Sequence, residues 1–264
     1  MDINTFHLPT EGNPKLVKLV TNLESHKEIQ TLLTMSNVTA VNRLGYNDHG
    51  PTHVKIVANS ALLMLRIINE YGLHSSLQEN YNSFDLTDQD AELVVVLGSY
   101  LHDIGHAVHR AGHELVGTLL AKPIIEQVLT GLYSDEQRII MVFEILHAIY
   151  SHEPNIIPLT IEAGIVKVAD ALDMEKGRAR APYTAGSVNI HSLSALGIEN
   201  VEITKGVKRP LKIKIHMSNT AGIFQADDLL GEKLRTSGIA KYFEVEIYLL
   251  RDGKENLLKS YELE

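Results

Sequence analysis

Apolar residues recur at helical spacing through most of the first 180 positions and at alternate positions after about residue 186. The first pattern predicts amphipathic helices and the second predicts half-buried strands. Asn13-Pro14 pairs an N-cap with a proline at the first helical position, ahead of Leu16, Val17, Leu19, Val20 and Leu23. Thr52 is expected to cap a helix through Val54, Val57, Ala61, Leu62, Leu65 and Ile68 that ends near Gly72. Thr87-Asp88-Gln89-Asp90 resembles a capping box and launches a helix up to His102-Asp103, with Gly105 as its stop. A second box, Ser134-Asp135-Glu136-Gln137, starts a helix carrying Ile139, Ile140, Phe143, Ile145, Leu146 and Ile149, which Pro154 ends. Thr160 opens a last helix holding Asp170 and Asp173 and stopping near Gly177.

Three later segments alternate: Val201–Thr204, Leu211–Met217 and Phe243–Ile247. Asn256–Leu263 pairs with the third around Arg251-Asp252-Gly253, and Gln225–Thr236 reads as one amphipathic helix between the strands. The expected sheet is antiparallel with one face exposed. The chain is therefore expected to be mostly α, with a helical domain over residues 1–185 and a small α+β appendage over 186–264. Packing or homodimer formation is the leading role for that tail, and regulation is the alternative.

Composition narrows the class of protein. With 264 residues, 44% hydrophobic and 22% charged, the chain can bury a sizeable core. No apolar run is long enough to cross a bilayer and no secretory signal opens the sequence, so a cytoplasmic protein is expected. Cysteine is absent, which rules out disulfides and thiolate metal sites. A formal charge of -9 argues against a broad nucleic-acid face. It leaves a small anionic substrate open, because bound divalent cations would reverse the field within a pocket.

Nine of the 13 histidines fall between His49 and His152. The pair His102-Asp103 stands at a predicted helix end, with His53 upstream, His113 and His152 downstream, and Asp170 in Val168-Ala169-Asp170-Ala171-Leu172-Asp173. Neutral imidazoles and carboxylates make a mixed nitrogen and oxygen set suited to Mn, Fe, Co, Ni or Zn, and poorer for Ca or Mg. Buried ionisable groups in such number are costly unless paired or bound to metal.

The segments Asp48-His49-Gly50-Pro51-Thr52-His53-Val54, Leu101-His102-Asp103-Ile104-Gly105, Ala148-Ile149-Tyr150-Ser151-His152 and Val168–Asp173 resemble those of the HD-domain superfamily of metal-dependent phosphohydrolases. The resemblance spans roughly residues 45 to 182. It implies an all-helical core in which His53, His102, Asp103 and Asp170 hold one ion. His113, in Gly112-His113-Glu114-Leu115, and His152 would hold a second, with Asp103 bridging the two. His147, five residues before His152, is kept as a supporting candidate, and Asp173 as the group that orients a ligand histidine. His106 stands where relatives carry a phosphate-holding lysine, and His109 is a further candidate phosphate contact. Arg178 and Arg180 would clamp a phosphate from beyond the last ligand helix.

The activity so implied is hydrolysis of a phosphate ester by a metal-activated water, with a small phosphorylated substrate, nucleotides among the candidates. The Gly-Tyr-Pro segment of the cyclic-di-nucleotide branch is missing after His152, where the chain reads Glu153-Pro154-Asn155. Two other readings use the same ligands. One is a di-iron oxygenase on the same scaffold, and the other is a non-catalytic module that binds metal and nucleotide for signalling.

Overall fold

The computed structural model describes residues 8–176, 194–251 and 254–262. Among the described residues, eight α-helices make up the body: α1 (Pro14–Ser25), α2 (Lys27–Asn37), α3 (Pro51–Glu70), α4 (Ser76–Tyr81), α5 (Asp88–Leu101), α6 (His113–Val128), α7 (Asp135–Ser151) and α8 (Ile161–Leu172). Most of their starts follow from local chemistry. Asn13 accepts from Leu16 N, Ser134 from Gln137 N and Thr160 from Ala163 N, while Thr87 and Asp90 form a reciprocal capping box. Thr52 is not a cap. Pro51 takes the first helical position and Gly50 the cap, so Thr52 already lies within α3.

Helix α5 is the axis of the body. Every residue from Asp90 to Leu101 is buried, as expected of a helix apolar on all sides. It packs against α3, α7 and α8. Gly98 sits at the crossing, where an added Cβ would lie 3.1 Å from Ala148 and 3.2 Å from Val166. The stripe predicted on α7 is only partly buried. Ile145 and Ile149 face the core, but Ile139 and Phe143 are exposed. Periodicity marks a face and cannot say how far a neighbouring helix extends across it.

The C-terminal part is a four-stranded sheet of β1 (Ile198–Lys205), β2 (Leu211–Met217), β3 (Phe243–Arg251) and β4 (Lys254–Glu262), in that order. The outer pairs are antiparallel, but β2 and β3 run parallel, against the expectation. The connection over residues 218–242 carries helical segments and is long enough for the crossover a parallel pair needs. Within it, the expected single helix is a wide helical turn over Gln225–Leu230 followed by α9 (Gly231–Arg235). Val201, Ile203, Leu211, Ile213, Ile215, Phe243, Val245 and Ile247 are buried, and they share one contiguous apolar core with the helices.

The crossover is fastened to α8. Lys167, fully buried, donates to the carbonyls of Glu153, Pro154, Ile156 and Thr236 at 2.7–3.3 Å. A Cβ on Gly164 would lie 2.6 Å from Ser237 O, so the chain after α9 passes directly over the α8 backbone.

Candidate metal centre

Five helix ends meet at one end of the body. His53 lies in the first turn of α3, His113 opens α6, His102-Asp103 and His152 directly follow α5 and α7, and Asp170 lies in the last turn of α8. His53, His102, Asp103, His113 and His152 are all buried, and the Asp170 side chain is 13% exposed.

The backbone decides which imidazole nitrogen faces inward. His102 Nδ1 donates to Ser99 O, His113 Nδ1 to Arg110 O and His152 Nδ1 to Ile149 O, at 2.6–2.9 Å. His53 Nδ1 meets Asp173 Oδ2 at 2.6 Å. With Nδ1 carrying the proton, each ring turns its Nε2 lone pair toward the middle. His53 Nε2 and His102 Nε2 lie 3.3 Å apart, and His113 Nε2 and His152 Nε2 lie 3.2 Å apart.

The carboxylate of Asp103 stands between these pairs. Its Oδ2 is 3.4 Å from His53 Nε2 and 3.3 Å from His102 Nε2, whereas its Oδ1 is 3.3 Å from His113 Nε2 and 3.8 Å from His152 Nε2. Asp170 Oδ1 joins the first group, 3.2 Å from His53 Nε2 and 3.6 Å from His102 Nε2. Two sets of side chains that could hold an ion result: His53, His102 and Asp170, and Asp103, His113 and His152. A third, His49, Asp103 and His106, adjoins them.

The residues fit a divalent cation on two counts. Ring nitrogens and carboxylate oxygens converge there, and Asp103 Oδ2 is buried without a hydrogen-bond partner. The charge balance agrees. Burial alone would push the His102 imidazole down, but Asp103 and Asp170 outweigh it and hold it up at about 9, so a bound cation would take the place of its proton. Burial works against ionising Asp103 and Asp170 as well, yet His102 beside the first, and Lys233 and the histidines beside the second, keep both well below the usual carboxylate range. Burial and its neighbouring histidines keep His152 neutral, ready to act as a ligand.

The remaining candidates divide. Asp173 is placed to orient His53. His147 lies apart from the cluster, with its Nε2 accepting from Leu159 N at 3.0 Å. His106 is fully buried, 3.4 Å from Asp103 Oδ1, and burial lowers its basicity. It accepts from Arg110 Nη1 at 3.1 Å, and Arg110, not His106, reaches the adjoining cavity. His109 is exposed, and its Nδ1 accepts from Ala111 N. Arg178 and Arg180 lie outside the described residues, and the helix expected to hold Asp173 and stop near Gly177 already ends at Leu172, with Asp173 just beyond it.

Gly105 does not act as a helix stop. Helix α5 ends at Leu101, and Gly105 lies in a following turn over Ile104–Ala107. A Cβ there would fall 2.0 Å from His113 O. Its role is to let that turn touch the start of α6.

The cavity beside the cluster has a volume of about 310 Å³. Asp103, His113, His152 and Asp170 form its floor; Tyr46, His49 and Arg110 line it from the body, and Gln225, Leu229, Glu232 and Lys233 line it from the crossover. His49, Arg110 and Lys233 were not singled out by sequence reasoning. His49 stands inside a recognisable segment and Arg110 between two of them, whereas nothing local marks Lys233.

A family model described as HD domain matches residues 52–175. The chain is also 47% identical over 236 residues, 89% of each chain, to the uncharacterized protein MJ1020 of Methanocaldococcus jannaschii. No solved structure matches. Among the described residues no helix is long and apolar enough to cross a membrane.

Proposed function

The chain belongs to the HD-domain family, and from that premise we propose that it is a metal-dependent phosphohydrolase acting on a small phosphorylated substrate. The observation that carries this reading is the division of Asp103. Its two oxygens face two different histidine pairs, the arrangement expected of a carboxylate that bridges two ions. Residues His53, His102, Asp103 and Asp170 would hold one ion, and Asp103, His113 and His152 the other. Bound there, divalent ions of the Mn, Fe, Co, Ni or Zn class supply an acidified water and charge stabilisation at phosphorus.

The protein's own groups do the rest. Asp173 fixes the His53 ring so that Nε2 faces the site, and the carbonyls of Ser99, Arg110 and Ile149 do the same for the other three rings. Buried His106 holds Arg110 through one hydrogen bond, leaving further guanidinium donors for a phosphate oxygen. Ser36 Oγ donates to Asp103 O at 3.1 Å and so anchors the bridging residue from α2.

The test begins with metal content after purification without chelator, followed by a phosphoester screen on wild type and Asp103→Ala. Two transition-metal ions per chain and turnover abolished in the variant are the expected results. Near-normal turnover in a folded Asp103→Ala protein would falsify the assignment.

A further inference from the structure

Asp170 divides its oxygens as Asp103 does, but between different partners. Oδ1 faces His53 and His102, whereas Oδ2 receives an ion pair from Lys233 in α9. The lysine therefore leaves untouched the oxygen turned toward the histidines, and its ammonium is compatible with an ion held there. An ammonium has three donors. One goes to Asp170, and the side chain, 16% exposed, lines the cavity with two remaining.

The walls of that cavity need a cation. Arg110 and Lys233 are the Lys or Arg side chains among the described residues that line it, and they are matched by Glu114 and Glu232. Among the described residues, the cavity has no surplus of positive charge with which to hold a phosphate. Arg110 reaches it from an exposed turn beside Tyr46, while Lys233 is held on a fixed support. Thr236 O, just beyond α9, accepts from buried Lys167, and the chain at Ser237 lies against Gly164. Both contacts hold the crossover on the helix that carries Asp170.

We propose that Lys233 is a phosphate-binding residue of this site, contributed by the C-terminal part of the chain, and that the crossover is a wall of the substrate cavity. The proposal rests on the hydrolase reading above and names the group that holds the substrate's phosphate beside the ions. At about 310 Å³ the cavity lies at the lower end of the range for small-molecule sites, roughly 300–1,000 Å³. It has room for one phosphorylated small molecule.

The experiment is calorimetric titration of the Mn²⁺-loaded full chain with inorganic phosphate, for wild type, Lys233→Ala and Lys233→Arg, with Mn²⁺ stoichiometry and thermal melting measured on each. Lys233→Ala should weaken phosphate binding roughly 10- to 100-fold, the range for one hydrogen bond between charged groups, while keeping its Mn²⁺ and its melting transition. Lys233→Arg should recover most of the affinity. Equal phosphate affinity in wild type and Lys233→Ala would overturn the proposal. So would loss of Mn²⁺ in Lys233→Ala that Lys233→Arg fails to restore, since the lysine would then only position Asp170. A wild type that loads Mn²⁺ but hydrolyses no phosphoester would sink the hydrolase reading alone, and the phosphate titration would still decide the role of Lys233. A wild type that binds none of Mn²⁺, Fe²⁺, Co²⁺, Ni²⁺ and Zn²⁺ would end both.

Discussion

Replacing Gly105 with alanine tests how tightly the His-Asp segment is built against the helix that follows it. Gly105 has no left-handed φ, so alanine brings no backbone strain of that kind. The new Cβ would fall 2.0 Å from His113 O, 2.8 Å from His113 C and 2.8 Å from Gly117 N. Real Cβ contacts are essentially never shorter than 3.0 Å, so the gap must open by at least about 1 Å. All three atoms are backbone in the first turns of α6 and cannot swing aside as a side chain would. His113 must move with them, away from His152 Nε2 at 3.2 Å and Asp103 Oδ1 at 3.3 Å. Metal ligands tolerate displacements of only about 0.2 Å. Overpacking costs about 1–3 kcal/mol, and a clash confined to backbone belongs at the upper end. In a chain of this size that lowers the melting midpoint by roughly 5–10 °C. Calorimetric melting with metal analysis should show this loss, together with weakened occupancy at the His113 and His152 pair. Gly112→Ala is the control, because its φ of +70° is strained for alanine but nothing lies within 4 Å of its Cβ. It should lose only about 1–2 kcal/mol. A Gly105→Ala protein within 1 kcal/mol of wild type, with full metal, would refute the close approach.

Two further predictions concern the same end of the body. Asp173→Asn weakens the partner of His53 Nδ1 and should lower metal affinity roughly 10- to 100-fold, read by competition with a chelator; unchanged affinity would mean that the 2.6 Å contact does not orient the ring. Glu162, in the first turn of α8, has one oxygen accepting from Leu77 N and the other buried without a partner, and burial pushes its carboxyl up to about 7. A raised carboxyl contributes its full stability below pH 4.5 and loses it as pH rises through 7, a difference of about 3 kcal/mol at 1.36 kcal/mol per unit. Glu162→Gln should therefore gain stability over wild type at pH 8 but not at pH 4.5 in denaturant titrations, and parallel pH profiles for the two proteins would contradict this.

The parts of the fold that were legible in the sequence are those decided within a few residues. The boxes at Thr87 and Ser134 close between positions three apart, and β2 matches its alternating stretch at both ends. Thr52 misled because the cap preference of threonine competes with a proline directly before it, which takes the first helical position and moves the cap two residues earlier, to Gly50. The parallel pairing of β2 and β3 depends on where the crossover lies in space, which alternation does not encode. The same limit governs the site. The His-Asp segment and its companions are recognisable as short phrases, whereas the pairing of Lys233 with Asp170 joins positions 63 apart with no shared motif.

The way the crossover lies over the helix ends also sets a timetable for synthesis. His53 and Asp173 are 120 residues apart, and the chain must extend 63 residues beyond Asp170 before Lys233 exists. At about 5–20 residues per second, that last interval takes roughly 3–13 s on the ribosome. During it, the ligand-bearing helices have been synthesised while the cavity still lacks one wall. A chain released early would carry the histidines without the wall that narrows access to them. The full set of cavity walls therefore belongs to the finished molecule alone, and the docking of the crossover marks the end of a slow, long-range assembly.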